Sequence, residues 1–204
     1  MNHGTRAAAV TTGNVPPTIV TSDSDSDAGR VKLDNVHLRA AKPDDALCLS
    51  VLATQVFVDT YAPHGIRVAI AREARRAYSE EAFVQTLSQA DSRVIVAERD
   101  GHLIGFAQVD LHTGHVLAPA GVQAELLRLY VQLPFKGRGV GSQLLLASEA
   151  LARTGGAQVY WLTSWAHNHR ARRFYEHHGY RDFGETAFTF EGESHENRVY
   201  AKLL

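Results

Sequence analysis

The period of apolar and polar positions changes repeatedly along the chain, and each change marks an element. Val36-His37-Leu38-Arg39 alternates, as a strand with one buried face does. Pro43-Asp44-Asp45 then opens a helix, with Asp44 as its cap and acids in its first turn, running through Leu47, Leu49, Val51, Leu52, Val56 and Phe57. Pro63 and Gly65 break the loop that follows, and a second helical region, interrupted or bent, spans about residues 68–88. Tyr61, Tyr78 and Phe83 punctuate these helices, either as core or as the lining of a substrate groove. Val94-Ile95-Val96-Ala97 and the run 103–109 flank Asp100-Gly101, a hairpin signal. After a loop at 112–123 comes a third apolar run, Leu126 to Val131, which Pro134 cannot extend because it lacks the N–H a ladder needs. From Ser142 onward Leu144, Leu145, Leu146, Ala147 and Leu151 give a helical face, closed by Gly155-Gly156. Residues 159–163 read as a buried strand. Asn168 caps a helix with Ala171, Phe174, Tyr175 and His178 on one face, and Gly179 closes it. Two last strands, 180–190 and 197–203, are joined by a turn at Glu191-Gly192-Glu193, with Phe188, Phe190, Val199 and Ala201 on one face. Strands and helices interleave without repeats, as in an α/β (α+β) fold.

Composition narrows this picture. Residues 1–34 are dominated by Gly, Pro, Ser, Thr and Asp, with the low-complexity run 21-TSDSDSDAG-29. Such a segment lacks the apolar surface that offsets ordering entropy, so a disordered tail is expected at 1–34 and one domain at 35–204. The 204 residues suit one medium domain, and 45% hydrophobic content is that of a globular protein. A formal net charge of −1 argues against a mainly electrostatic nucleic-acid partner. Cys48, the single cysteine, excludes a disulfide within the chain; on an apolar helical stretch it is expected in the core. No run approaches the ~18 apolar residues of a membrane span, so no membrane partner and a cytoplasmic location are expected. His112 and His115 stand three apart, but no acid or cysteine nearby completes a ligand set, so no metal is expected.

The stretch 136-KGRGVGS-142 joins the third strand to the long helix. Glycines at 137, 139 and 141 let successive backbone N–H groups turn into one concavity at a helix start, which favours an anionic group such as a phosphate. Lys136 and Arg138 add positive charge there. A tight turn with no ligand is the alternative. A dinucleotide fingerprint would need a third glycine where Ser142 stands, and no G-x-x-x-x-G-K-[ST] sequence occurs. Glu125, among apolar residues at the start of the strand, is either a solvated strand end or an acid/base group facing a cleft.

Taken together, Lys136-Gly137-Arg138-Gly139-Val140-Gly141 and the later N-x-x-A-x-x-F-Y-x-x-x-G-Y at Asn168, Ala171, Phe174, Tyr175, Gly179 and Tyr180 resemble the GNAT superfamily of N-acetyltransferases. Lys136 departs from that family's usual Gln or Arg, which a turn working through backbone N–H groups should tolerate. Within the superfamily, ELLRLYV, YWLTSW and the GETAFTFEGE…NRVYAKLL ending are similar to bacterial spermidine/spermine acetyltransferases.

The resemblance implies a mixed, mostly antiparallel central sheet of six to seven strands with helices on both faces, and a V-shaped split between the two central parallel strands. It implies acetyl-CoA in that split, its arm on the backbone of Leu129, Tyr130 and Val131 and on Asn168. The pyrophosphate would lie on the turn from Lys136 through Gly137, Arg138, Gly139, Val140 and Gly141 to Ser142. The reaction would be direct attack by a small-molecule amine in a ternary complex. Tyr175 would be the acid, since a phenol with pKa about 10 can protonate a thiolate whose thiol titrates near ~8.5. Glu125 would be the base, with His167 and His169 as alternatives. Acids at Asp182, Glu185, Glu191, Glu193 and Glu196 would either draw a polyamine or be only a solvated face. A protein N-terminus, including a ribosomal protein's, is the other acceptor, and a non-catalytic CoA sensor is the non-enzyme reading. The sequence leaves a homodimer open.

Overall fold

In a computed structural model, residues 33–190 and 193–204 are described, without the side chains of residues 190 and 193. The expected tail, as far as residue 32, and the expected turn at 191–192 with its Glu191 lie outside the described residues. Seven strands form one sheet in the order β1-β2-β3-β4-β5-β7-β6. They are β1 (Val36–Ala40), β2 (Ser92–Arg99), β3 (His102–Leu111), β4 (Gln123–Val131), β5 (Val159–Trp165), β6 (Arg181–Phe190) and β7 (Glu193–Leu203). The helices are α1 (Ala46–Tyr61), α2 (Val68–Ala77), α3 (Glu80–Ser88), α4 (Val140–Thr154) and α5 (His169–His177). β4 and β5 are parallel, and the other neighbours run antiparallel. This is the mixed, mostly antiparallel sheet that the resemblance implies.

Two apolar clusters cover the two sheet faces. Beneath α4 and α5 lie Ala107, Val109, Ala124, Leu126, Leu129, Val131, Tyr160 and Leu162. Beneath α1–α3 lie Val94, Val96, Phe106 and Tyr130. The β2–β3 hairpin turns on Asp100 (φ 51°) and Gly101 (φ 80°); two left-handed residues give a turn whose twist matches the strands.

Three expectations are corrected. Asp45, not Asp44, organises the start of α1: its carboxylate accepts from the Lys42 N–H at 2.7 Å and holds Arg39 through both oxygens, while residues 43–45 form a short 3-10 turn. Cys48 is exposed, because α1 buries the stripe Ala46, Leu49, Leu52, Ala53, Val56 and Phe57, and Cys48 falls on the outer face with Leu47 and Val51. A helix apolar on nearly all sides hides which face is the core. On α4, likewise, Leu146 is 55% exposed, and the buried stripe takes in Ser148 and Glu149 instead.

Candidate active site

The parallel pairing of β4 with β5 consists of Gln123↔Val159, Ala124↔Tyr160 and Glu125↔Trp161. Beyond these rungs β4 continues against β3 as far as Gly105↔Val131, and β5 continues against β7 as far as Trp165↔Asn197. The strands therefore part at Glu125, and Leu129, Tyr130 and Val131 line the β4 side of the split. On the other side of β4 the approach is close. A Cβ on Gly105 would stand 2.7 Å from the Tyr130 carbonyl oxygen, so only glycine lets β3 run there undisturbed.

A β-bulge decides which β4 side chains face where. The register against β3 shifts between Gln108↔Arg128 and Val109↔Leu126, leaving Leu127 as the extra residue. Leu126 and Leu129, three apart, thus both point beneath α4. Glu125 and Arg128 both point to the opposite face, where Arg128 bonds Gln108 at 2.5 Å and lies over the Tyr78 ring.

After β4 a 3-10 turn at Leu133–Phe135 leads into Gly137 (φ 70°) and Gly139 (φ 84°), the latter at the N-cap of α4. Two left-handed residues with a single residue between them give a shape in which backbone N–H groups converge. Val140 is fully buried and anchors the helix start. The basic residues separate here: Arg138 is exposed, while Lys136 is only 6% exposed, so the pair does not present one joint patch of charge. A Cβ on Gly141 would meet the Phe174 ring at 3.8 Å, an ordinary contact distance, so the packing there would admit alanine. Ser142 is hydrogen-bonded through Oγ to His178 Nε2 at 3.0 Å.

Tyr175 lies on α5 within the cluster under α4, its ring 5.7 Å from Tyr180 and 6.2 Å from Tyr200. It is fully buried, and its hydroxyl has no hydrogen-bond partner. Burial holds its phenol well above the usual range, so it is protonated at neutral pH. An orphaned buried hydroxyl costs roughly 1–3 kcal/mol, and such a group is explained when a ligand atom completes it. Asn168 caps α5, Oδ1 accepting from the Ala171 N–H at 3.1 Å. Its amide group is not used by that cap.

Glu125 is 7% exposed, so its carboxyl is not the solvated strand end that sequence left open. Burial pushes it up to about 8; the neighbouring charge of Asp110 adds to the rise and Arg128 opposes it. Asp110 pairs with Glu125 across the β3–β4 ladder and accepts from Ser92 Oγ (2.7 Å) and Gln108 Nε2 (3.2 Å). On this same face Tyr61 leans on Trp165, ring centres 5.8 Å apart, and Asn197, opposite Trp165 in register, is buried with an unpartnered Oδ1. Sequence reading missed Asp110, Arg128 and Asn197. A single buried polar residue in a strand carries no periodic signal, and the bulge re-aims Arg128. His167 and His169 are exposed on the surface.

Of the expected acidic rim, Asp182 is held by Arg198 at 2.9 Å and lies 3.9 Å from Arg172, and Glu185 stands 3.4 Å from Arg198. These two acids are largely neutralised within the hairpin. Among the described residues no group of three or more His, Cys, Asp or Glu could hold a metal ion, and no helix is long and apolar enough to cross a membrane.

The site thus joins a sheet split, a glycine turn at a helix start and a buried phenol on α5. Residues 61–180 match the acetyltransferase (GNAT) family, and the chain belongs to it: an acetyl-CoA-dependent N-acetyltransferase. It is similar to an uncharacterized N-acetyltransferase of Lactobacillus delbrueckii subsp. lactis, 24% identical over 75% of this chain and 88% of that one. A Bacillus subtilis (strain 168) relative, also an uncharacterized N-acetyltransferase, is 29% identical over 72% of this chain and 91% of its own length. The PaiA N-acetyltransferase of Thermoplasma acidophilum, solved with coenzyme A, shares the fold with a TM-score of 0.68 at 23% identity, covering 83% of this chain and 99% of that one.

Proposed function

We propose that the chain acetylates a primary amine of the polyamine class, with Glu125 as base and Tyr175 as acid. One observation carries this reading: two buried ionisable groups flank the split, a carboxyl raised to about 8 on one sheet face and an unpartnered, protonated phenol on the other. Residues Gly137 to Ser142 fit the pyrophosphate, and the backbone of Leu129–Val131 with the Asn168 amide fits the arm. Bound acetyl-CoA supplies the acetyl thioester. Glu125 takes a proton from the incoming ammonium. An alkylammonium titrates near ~10.4 and an ordinary Glu near ~4.3, so raising Glu125 removes more than half of that mismatch. Tyr175 gives its hydroxyl proton to the departing sulfur.

Two features support a polycation. Glu125 lies beside a second carboxyl at Asp110, and the aromatic pair Tyr61–Trp165 with the Asn197 oxygen offers a further place for an ammonium. The test is release of free thiol from acetyl-CoA with a panel of polyamines, peptides with free N-termini and aminoglycosides. Spermidine and spermine should turn over best. A preference for peptides would overturn the acceptor, and CoA binding without turnover on any amine would favour a sensor. Tyr175→Phe should lower kcat by about 10²- to 10⁴-fold while leaving CoA affinity unchanged; full kcat in that variant removes Tyr175 as the acid.

A further inference from the structure

We propose that His178 is the positioning residue of the glycine turn: it holds the Ser142 hydroxyl, and arrival of a diphosphate draws a proton onto its ring, which releases that hydroxyl to the anion. The proposal rests on the reading of the turn given under Proposed function.

The geometry fixes the ring's hydrogen bonds. His178 Nδ1 lies 2.8 Å from the Phe174 carbonyl oxygen. A carbonyl only accepts, so Nδ1 carries a proton and donates it. In the neutral ring Nε2 then has only a lone pair, and it stands 3.0 Å from Ser142 Oγ. Ser142 must therefore donate its hydroxyl proton to the ring, and that proton is withheld from anything on the turn. When the ring takes up a proton, Nε2–H becomes the donor, Ser142 Oγ the acceptor, and the serine hydroxyl hydrogen is free to turn. The one bond formed is Nε2–H, its proton drawn from solvent, and the serine keeps its own O–H.

Ser142 is the third residue of α4, where the backbone N–H groups lack intrahelical partners. The ring is kept in place by Phe174, whose ring lies 4.3 Å away centre to centre and is tilted by 40°. The charged and titratable groups on the packed elements include Lys136 and Arg138 on the turn, Glu149 on α4, Arg170, Arg172, Arg173, Glu176 and His177 on α5, and Lys202 on β7. His177 is 5.4 Å away, ring centre to ring centre. Both carboxylates are engaged elsewhere: Glu149 accepts from Lys202 and Tyr180, and Glu176 from the Tyr200 hydroxyl. The anion that would stabilise a cationic ring is thus the ligand's own, bound at the start of α4.

The experiment is calorimetric titration of CoA into the full chain near neutral pH, in buffers of differing ionisation enthalpy, which counts protons taken up on binding. Protonation of the ligand's own phosphate is common to wild type and variant and cancels in their difference. Wild type should take up more protons than His178→Gln, by a difference of up to about one, because the Gln amide N–H can donate to Ser142 at any pH. CoA affinity should fall more steeply with rising pH in wild type than in His178→Gln, and Ser142→Ala should bind at the level of the high-pH wild type. Equal proton counts in wild type and His178→Gln, with CoA bound by both, overturn the proposal while sparing the turn. Absence of CoA binding by wild type removes the reading of the turn and the proposal with it.

Discussion

Glu125 owes its chemistry to two apolar neighbours and one extra residue. Ala124 and Leu126 direct their side chains beneath α4, so Glu125 faces the other way, into a dry part of the sheet beside Asp110. With its folded value raised from 4.5 to about 8, the folded chain keeps a proton that the unfolded chain has released anywhere between those limits. Stability from this group is complete below pH 4.5 and is lost as pH rises through 8. Urea unfolding at pH 5 to 8 should therefore show wild type losing up to about 1.4 kcal/mol per pH unit relative to Glu125→Gln. The same variant should lose roughly 10²- to 10⁴-fold in kcat, along with the acid limb of the rate profile, the rise in rate as the base loses its proton. Parallel stability profiles would mean that the carboxyl is not raised. The residue itself was legible in the sequence as a carboxylate among apolar positions. Its burial was not, because burial depends on Asp110, Arg128 and Trp161, which lie far away in sequence or beyond a bulge.

At the scale of elements, local signals read well and register did not. The glycine turn and the Asp100-Gly101 hairpin are decided by left-handed backbone conformations that few residues adopt, and the Asn168 cap by a side-chain oxygen that few residues supply, so their sequences announce them. The cap of α1 slipped by one residue, because Asp44 and Asp45 are chemically alike and only the position of Arg39 selects between them. The bulge at Leu127 left no mark, since Leu suits a regular strand equally well. Gly105 likewise reads as an ordinary strand glycine, yet it guards the wall of the split. Gly105→Ala should cost about 1–3 kcal/mol by overpacking and push the Tyr130 carbonyl toward β5. Thermal unfolding and CoA titration would check it: lower melting temperature and weaker CoA binding are expected together. Loss of stability with CoA affinity intact would show that the carbonyl's position does not matter to the ligand.

On the scale of the whole molecule, the order of motifs made the fold legible, while the balance of charge was not. The acids near the C-terminus suggested an acidic rim, but pairing with Arg198 quiets Asp182 and Glu185. Exposed ion pairs of this kind contribute roughly 0–1 kcal/mol, so Arg198→Ala should fold normally and leave a more negative hairpin. KM for spermidine should then fall at low salt while KM for a monoamine holds. Equal KM values in wild type and variant would mean that the hairpin does not read the acceptor's charge.

The three rungs between β4 and β5 also bear on which changes of length the chain can absorb. In an ordinary central strand an inserted residue reverses every later side chain against both neighbours at once. Here the extra residue, Leu127, comes two positions after the last rung, where β5 has already departed, so β3 alone had to adjust. Past Glu125 the lengths of β4 and β5 are uncoupled. Either strand can gain or lose a residue without misaligning the other, and the interior of this sheet is open to insertions and deletions of a kind usually confined to surface loops.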